Sequence, residues 1–140
     1  MRRLGRTLST ALLGGVLAGC AAPGGIGCTP AETARGCAIT SELFLGQARP
    51  DGSRIGEAEW QAFLADTVTP LFPAGLTVLD GTGQWRGSDG NIDREPAKIL
   101  IIVRPGGADD AGVAKIVSAY KARFAQEAVL RVDLKSAASF

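Results

Sequence analysis

The pattern of apolar and polar positions between residues 38 and 134 predicts four strands and two helices. Apolar side chains recur every three or four residues after Gly56 and again after Asp110, which is the spacing of one helical face. Short runs rich in β-branched and aromatic residues, bounded by Gly, Pro and Asp turn residues, predict strands at 38–46, 75–85, 97–103 and 128–134. The elements therefore follow the order β-α-β-β-α-β.

This order is typical of the ferredoxin-like class of α+β folds. Right-handed crossovers would place both helices on one face of a four-stranded antiparallel sheet, with the first and third strands in the middle. Asp89-Gly90 is a hairpin signal between the second and third strands, and the unbroken apolar run 99–103 fits a central strand covered on both faces. We therefore predict a ferredoxin-like domain at residues 38–136.

The sheet face away from the helices is the first candidate binding site. Period-two alternation along the strands predicts which side chains lie there. The predicted set comprises Thr40, Glu42, Phe44, Lys98, Leu100, Ile102, Val129, Arg131 and Asp133. Its apolar centre would mark an interaction site, because large exposed apolar patches rarely stay in water. Its charged members fit either a ligand site or a rim of cross-strand ion pairs worth at most about 1 kcal/mol each.

A second candidate is the segment QWRG at residues 84–87, beside the predicted hairpin. Trp85 and Arg86 could hold an anionic or sugar-like ligand by stacking and hydrogen bonding. The alternative is that Trp85 closes one end of the core while Arg86 lies in solvent.

The composition excludes several kinds of catalytic and metal site. The chain contains no His, so Ser–His and Cys–His nucleophile pairs are impossible and the commonest zinc and copper ligands are missing. No other pattern indicates a catalytic residue or a metal site. We therefore expect no cofactor, and the sequence assigns no reaction.

The first 20 residues have the pattern of a bacterial lipoprotein signal. Arg2, Arg3 and Arg6 precede an apolar run that is too short for the roughly 20 residues of a spanning helix. The run ends in LAGC at residues 17–20, which resembles the lipobox. This resemblance implies that the signal peptide 1–19 is removed and that Cys20 is acylated, with palmitate among its chains. The alternative is an ordinary signal peptide that ends near a cysteine.

Lipidation would place the protein in the cell envelope, where acyl chains hold it to the lipid bilayer effectively permanently. Because Ala21 rather than Asp follows the cysteine, lipoprotein sorting implies the outer membrane, facing the periplasm. Removal of residues 1–19 leaves 12 basic and 14 acidic residues, a formal charge of −2. This charge argues against a nucleic-acid partner, which would require clustered Lys and Arg.

Both ends of the predicted domain carry short extensions. Residues 20–37 are rich in Gly, Ala and Pro and are predicted to form a lipid-anchored tether, and residues 137–140 form a C-terminal tail. In the oxidising periplasm Cys28 and Cys37 are expected to form a disulfide worth about 2–3 kcal/mol, with free or intermolecular thiols as the alternative.

Four segments resemble a known family of small bacterial secreted proteins, catalogued as domain of unknown function 3574. They are SELFLGQARPDG, EAEWQAFLADTVTPLFPAGLTVLDGTGQWRG, REPAKILIIV and AYKARFAQEAVLRV, and they match the family in order and spacing over about residues 39–132. The resemblance supports the fold and the envelope location. It implies no activity and brings no catalytic residues.

Two functions of different classes remain open on the sequence. The first is a non-catalytic accessory lipoprotein that binds an envelope protein, a small molecule or a second copy of itself through the sheet face. The second is a small cofactor-free enzyme or ligand-binding protein of the dimeric α/β-barrel type, in which two sheets enclose a cavity. Its site would have to use Glu42, Trp85, Arg86 and Arg131.

The lipid anchor predicts that cells expressing the chain incorporate radiolabelled palmitate into it. Cys20→Ser should abolish the label, because the thioether can form only on that sulfur. Labelling that survives this substitution would contradict lipidation at Cys20.

Overall fold

In the computed structural model, which describes residues 26–87 and 89–139, the strands form one antiparallel sheet. They are β1 (Cys37–Gly46), β2 (Thr77–Arg86), β3 (Ile92–Pro105) and β4 (Leu130–Ala137), in the spatial order β2-β3-β1-β4. The central strands are therefore β1 and β3, and β2 and β3 pair as antiparallel neighbours. The predicted α+β class and four-stranded antiparallel sheet are confirmed.

The helical elements are α1 (Pro30–Thr33), α2 (Glu57–Phe63), α3 (Thr69–Leu71) and α4 (Asp110–Phe124). A π-helical turn, Leu64–Val68, joins α2 to α3, and within it the Thr69 amide bonds to the carbonyl of Leu64, five residues back. Proline lacks an amide hydrogen and its ring clashes with the carbonyl four residues earlier in a regular helix. The wider turn lets the chain pass through Pro70, and the helix ends at Leu71.

The core lies between one face of the sheet and two long helical segments. The first runs from α2 through the π-helical turn to α3, and the second is α4. Leu43 and Leu45 of β1 and Leu100 and Ile102 of β3 are fully buried there. An aromatic cluster packs above them and consists of Trp60, Phe63, Tyr120 and Phe124. Burying each such side chain stabilises the fold by roughly 1.5–3 kcal/mol, so this cluster fixes both helices on the same face.

The β2–β3 hairpin extends well beyond the other two strands. β1 ends where Gly46 pairs with Ala97, but the β2–β3 register continues without a bulge to Arg86 opposite Ile92. Residues 82–86 and 92–96 therefore form a two-stranded ribbon, here called the arm. The predicted third strand began only at Ala97, because the polar, proline-containing start of β3 shows no strand pattern.

The segment from Ile26 to Gly36 packs on the same body as the sheet, although it falls within the predicted tether. A disulfide joins Cys28 to Cys37, with an S–S distance of 2.06 Å. Thr29 caps α1 with the reciprocal bonds of a capping box. The Glu32 carboxylate binds the Lys135 ammonium of β4 at 2.8 Å. Residues 1–25, with Cys20 and the predicted signal peptide, lie outside the described residues.

Ala137, assigned by the sequence to the C-terminal tail, is the last residue of β4, and the next amide, of Ala138, bonds to the carbonyl of Gly36. Among the residues that the structure describes, no helix is both long and apolar enough to cross a membrane.

The disulfide predicts a measurable contribution to stability. Replacing both Cys28 and Cys37 by Ser should lower the free energy of unfolding by about 2–3 kcal/mol in urea denaturation, because the loop that the bond closes is short. Reduction of the unchanged protein should produce the same loss and leave the double variant unaffected. Two titratable thiols in the folded, oxidised chain would contradict the bond.

Candidate functional site

The strand register defines which side chains lie opposite the helices. Since Leu43 and Leu45 enter the core, the alternating residues of β1 lie on the other face. Glu42 stands between Ile101 and Val132 in the register. Extending this parity across the sheet gives the open face, defined as Thr40, Glu42, Phe44, Thr77, Leu79, Ile99, Ile101, Val103, Leu130, Val132 and Leu134.

The open face is a continuous apolar surface. All its members except Thr40, Glu42 and Thr77 are apolar, and no described element of the chain packs over them. Leu79, Leu130 and Leu134 are 49%, 50% and 48% exposed. Single exposed leucines are common, but several on one flat surface mark an interaction site.

The sequence analysis placed the wrong set of alternating β3 side chains on the open face. Leu100 pairs with Leu43 and Ile102 with Ser41, and both apolar side chains are 0% exposed in the core beneath the helices. Lys98 lies on that side as well. The residues on the open face are instead Ile99, Ile101 and Val103. An unbroken apolar run has no alternation, so the sequence offered no signal to decide between the two parities.

The prediction for β4 is wrong in the same way. Arg131 pairs with Leu43 and Asp133 with Ser41, so both lie on the helix side of the sheet, and the apolar residues of the strand face outward. The usual rule that polar residues of a half-buried strand face water is inverted here. A polar cluster under the start of α4 is the physical reason.

That cluster is built around Arg104, which is 3% exposed and which the sequence reasoning did not single out. Its Nε donates to Ser41 Oγ at 3.1 Å, and its Nη1 donates to the carbonyl of Ala108 at 3.0 Å. Its Nη2 lies 3.4 Å from Asp133 Oδ1. Arg104 therefore ties the β3–α4 loop to the sheet. The only signal in the sequence was an arginine at the end of an apolar strand, followed by Pro-Gly-Gly.

Arg131 completes the cluster by binding Asp133 Oδ2 at 2.9 Å and the Asp110 carboxylate at the start of α4. Burial alone would raise the pKa of Asp133, but hydrogen bonds from Ser41 and Arg131 outweigh it and hold that pKa below its usual value. Two cations and two carboxylates balance one another. The cluster therefore attaches α4 to the sheet, and the Arg131 guanidinium is occupied by its ion pairs with Asp110 and Asp133.

Lys98 has a comparable structural role at the other helix. Its Nζ lies 2.6 Å from Asp80 Oδ1 and 2.8 Å from Glu57 Oε2, and it stands 5.9 Å from the ring centroid of Trp60. The hydrogen bonds to Asp80 and Glu57 raise the pKa of Lys98. The pairing joins the first turn of α2 to the edge of the sheet.

Trp85 and Arg86 lie on the arm, away from the core. Trp85 is 51% exposed, so the interpretation that it closes one end of the core is wrong. Counting by twos from Leu79 places it on the open-face side of the ribbon. The Arg86 guanidinium is exposed and donates to the carbonyl of Gly90 at 3.2 Å. Of the predicted site residues, Thr40, Glu42 and Phe44 therefore lie on the open face, and Trp85 lies beyond them.

Two carboxylates accompany the apolar surface. Glu42 is half-buried among apolar neighbours at its centre. Glu95 lies at the root of the arm, where its Oε2 accepts a bond from the Ala48 amide at 2.7 Å. Its carboxylate lies over Gly46, so closely that a Cβ at that position would collide with it. The described charges on and beside the open face are thus acidic.

No enclosed cavity accompanies this surface among the described residues. One open depression lies beside Glu32, Arg35 and Lys135, and another lies on the outer side of α4. Within residues 26–87 and 89–139, no three Cys, Asp or Glu side chains gather as a metal site would require. The arrangement offers a flat apolar contact surface with a central carboxylate.

Comparisons with known proteins agree with the fold and add no activity. A family model described as Protein of unknown function (DUF3574) matches residues 40–140. None of the curated proteins matches the chain.

Among solved structures, a phage SAM lyase in complex with S-methyl-5'-thioadenosine is similar, with a TM-score of 0.53 and 15% identity. The match covers 72% of this chain and 90% of that one. CutA from Synechococcus elongatus has a TM-score of 0.48 and 12% identity, over 74% of this chain and 80% of that one. The likeness to the lyase shows a shared fold and nothing about the reaction.

The Arg104 cluster predicts a large loss of stability when its central cation is removed. Arg104→Ala should lower the free energy of unfolding by about 1–3 kcal/mol, because Ser41 and the Ala108 carbonyl lose their buried donor and Asp133 keeps only Arg131 as its cation. Arg86→Ala is the matched control on the exposed arm and should change stability by about 0.5 kcal/mol or less. Equal effects of the two substitutions in urea denaturation would show that the cluster does not attach α4 to the sheet.

Proposed function

We propose that this chain, which belongs to the DUF3574 family of proteins of unknown function, is a lipid-anchored envelope protein that binds a partner through its open face without catalysis. The main support for a binding role is the continuous apolar surface opposite the helices. The anchor is supported by the pattern of Arg2, Arg3 and Arg6, the short apolar run and Cys20.

We also propose that the sheet and helices have a ferredoxin-like arrangement. Read from β4, the strand order is β4-β1-β3-β2, with both long helical segments packed on one face. This order supports a ferredoxin-like arrangement. In such an arrangement the second sheet face is free for a partner, and here that face is apolar.

The length of the chain would hold the anchored domain close to the membrane. Between Cys20 and Ile26 an extended chain spans only about 20 Å. The Cys37 end of β1 would thus lie near the lipid surface. β3 has 14 residues and is about 43 Å long, so the tip of the arm would stand far from the membrane, in the periplasm. The open face would run between these two ends, accessible to proteins of the same compartment.

The catalytic alternative uses the same surface but has weaker support. The phage SAM lyase shares the fold and is seen with S-methyl-5'-thioadenosine, which favours a ligand site in a protein of this shape. Of the residues that such a site would use here, Glu42 lies on the open face, Arg131 lies beneath the helices, and Trp85 and Arg86 lie on the arm. They are not gathered at one place, which favours binding without catalysis.

The binding role is tested by photo-cross-linking in cells that express the full chain. A photoreactive amino acid in place of Leu130, on the open face, should form a discrete covalent adduct. The same residue in place of Lys121, exposed on α4, is the matched control and should form none. Adducts of equal yield from both positions, or none from Leu130, would contradict a binding role for the open face.

A further inference from the structure

We propose that the occupant of the open face is a second copy of this chain, packed open face against open face, with the Trp85 side of each arm against the other copy. The proposal rests on the binding role of the open face and names the partner. The area of the face, the position of the N-terminal segment and the exposure of Trp85 on the arm support it.

The area of the open face suits a pair of copies. Four strands about 4.8 Å apart and ten residues of about 3.3 Å in β1 give a surface of roughly 19 by 30 Å, or about 570 Å². Two such surfaces together bury about 1,100 Å², and the arms add to this. Stable interfaces of standard size begin at about 1,200 Å².

The described N-terminal segment, residues 26–36, is attached to the helix side of the sheet and not to the open face. Its disulfide ties it to the first residue of β1, and Glu32 binds Lys135, which pairs with the buried Ile39 and shares its side of the sheet. The Thr33 side chain packs against Gly106 in the β3–α4 loop. These contacts hold residues 26–36 at the end of the sheet on its helix side, so this segment does not cover the open face.

The arm needs a surface to pack against. A two-stranded ribbon is marginally stable in water on its own, and here it continues past the last pairing with β1. Trp85 is 51% exposed on the side of the arm that continues the open face, and Ile92 is 50% exposed on the other side. Packing Trp85 on the apolar surface of a second copy would remove it from water and support the ribbon.

The arm extends the open face on one side only. Trp85 continues the alternation of Leu79, whereas Arg86 and Arg94, which pair with Ile92 and Gln84, lie on the other side of the ribbon. A two-fold pair of open faces therefore brings Trp85 of each arm against the other copy and closes without further association.

The experiment uses two full-length chains with different epitope tags, co-expressed in cells, with the photoreactive residue replacing Leu130 in one of them. The expected product has the mass of two chains and carries both tags. An adduct with a different protein overturns the second copy as occupant but leaves the binding role of the open face intact. Absence of any adduct overturns both.

Truncation of Trp85 tests the contact of the arm. Trp85→Ala in both tagged chains should lower the yield of the two-tag adduct about tenfold or more, because it removes a large exposed apolar side chain from the contact. Arg86→Ala, on the other side of the arm, is the matched control and should change nothing. An unchanged yield with Trp85→Ala would overturn the contact of the arm with the second copy.

Discussion

The helices cover one side of a sheet whose central strands carry apolar side chains on both sides. Because side chains alternate along a strand, every residue that β1 and β3 send into the core has a neighbour that faces the other way. The core side is completed by Trp60, Phe63, Tyr120 and Phe124. The opposite side bears Phe44 and the apolar residues of β3 and β4 with no described element of the chain above them. The sheet therefore has one apolar side that the helices bury and one apolar side that they leave exposed.

The buried charges belong to the covered side. Arg104 and Arg131 join the start of α4 to β3 and β4, and Lys98 joins the start of α2 to β2 and β3. Each cation is paired with carboxylates, so its charge is used to position a helix. This use explains why the charged residues that the sequence analysis grouped on one sheet face are dispersed around the fold. It leaves Glu42 as the charged residue at the centre of the apolar surface.

The sequence predicted the elements and their order because helical periodicity and turn residues are local signals. It did not predict which face each strand presents. In β3 the five apolar residues from Ile99 carry no alternation, and in β4 the polar residues Arg131 and Asp133 face inward to meet Arg104, which no local rule anticipates. The arm was missed because its strand at 92–96 is polar and contains Pro96. Partners that lie far apart in the chain decide all three features.

The mass of the particle in solution is the most direct test of a sheet face that needs a second copy. Residues 20–140 carrying Cys20→Ser, measured by light scattering after size exclusion over a range of concentrations, should have twice the mass of one chain. It should dissociate on dilution without unfolding or, if tightly paired, remain double throughout. A single-chain mass at every concentration, with the fold intact by circular dichroism, would contradict the pairing of open faces.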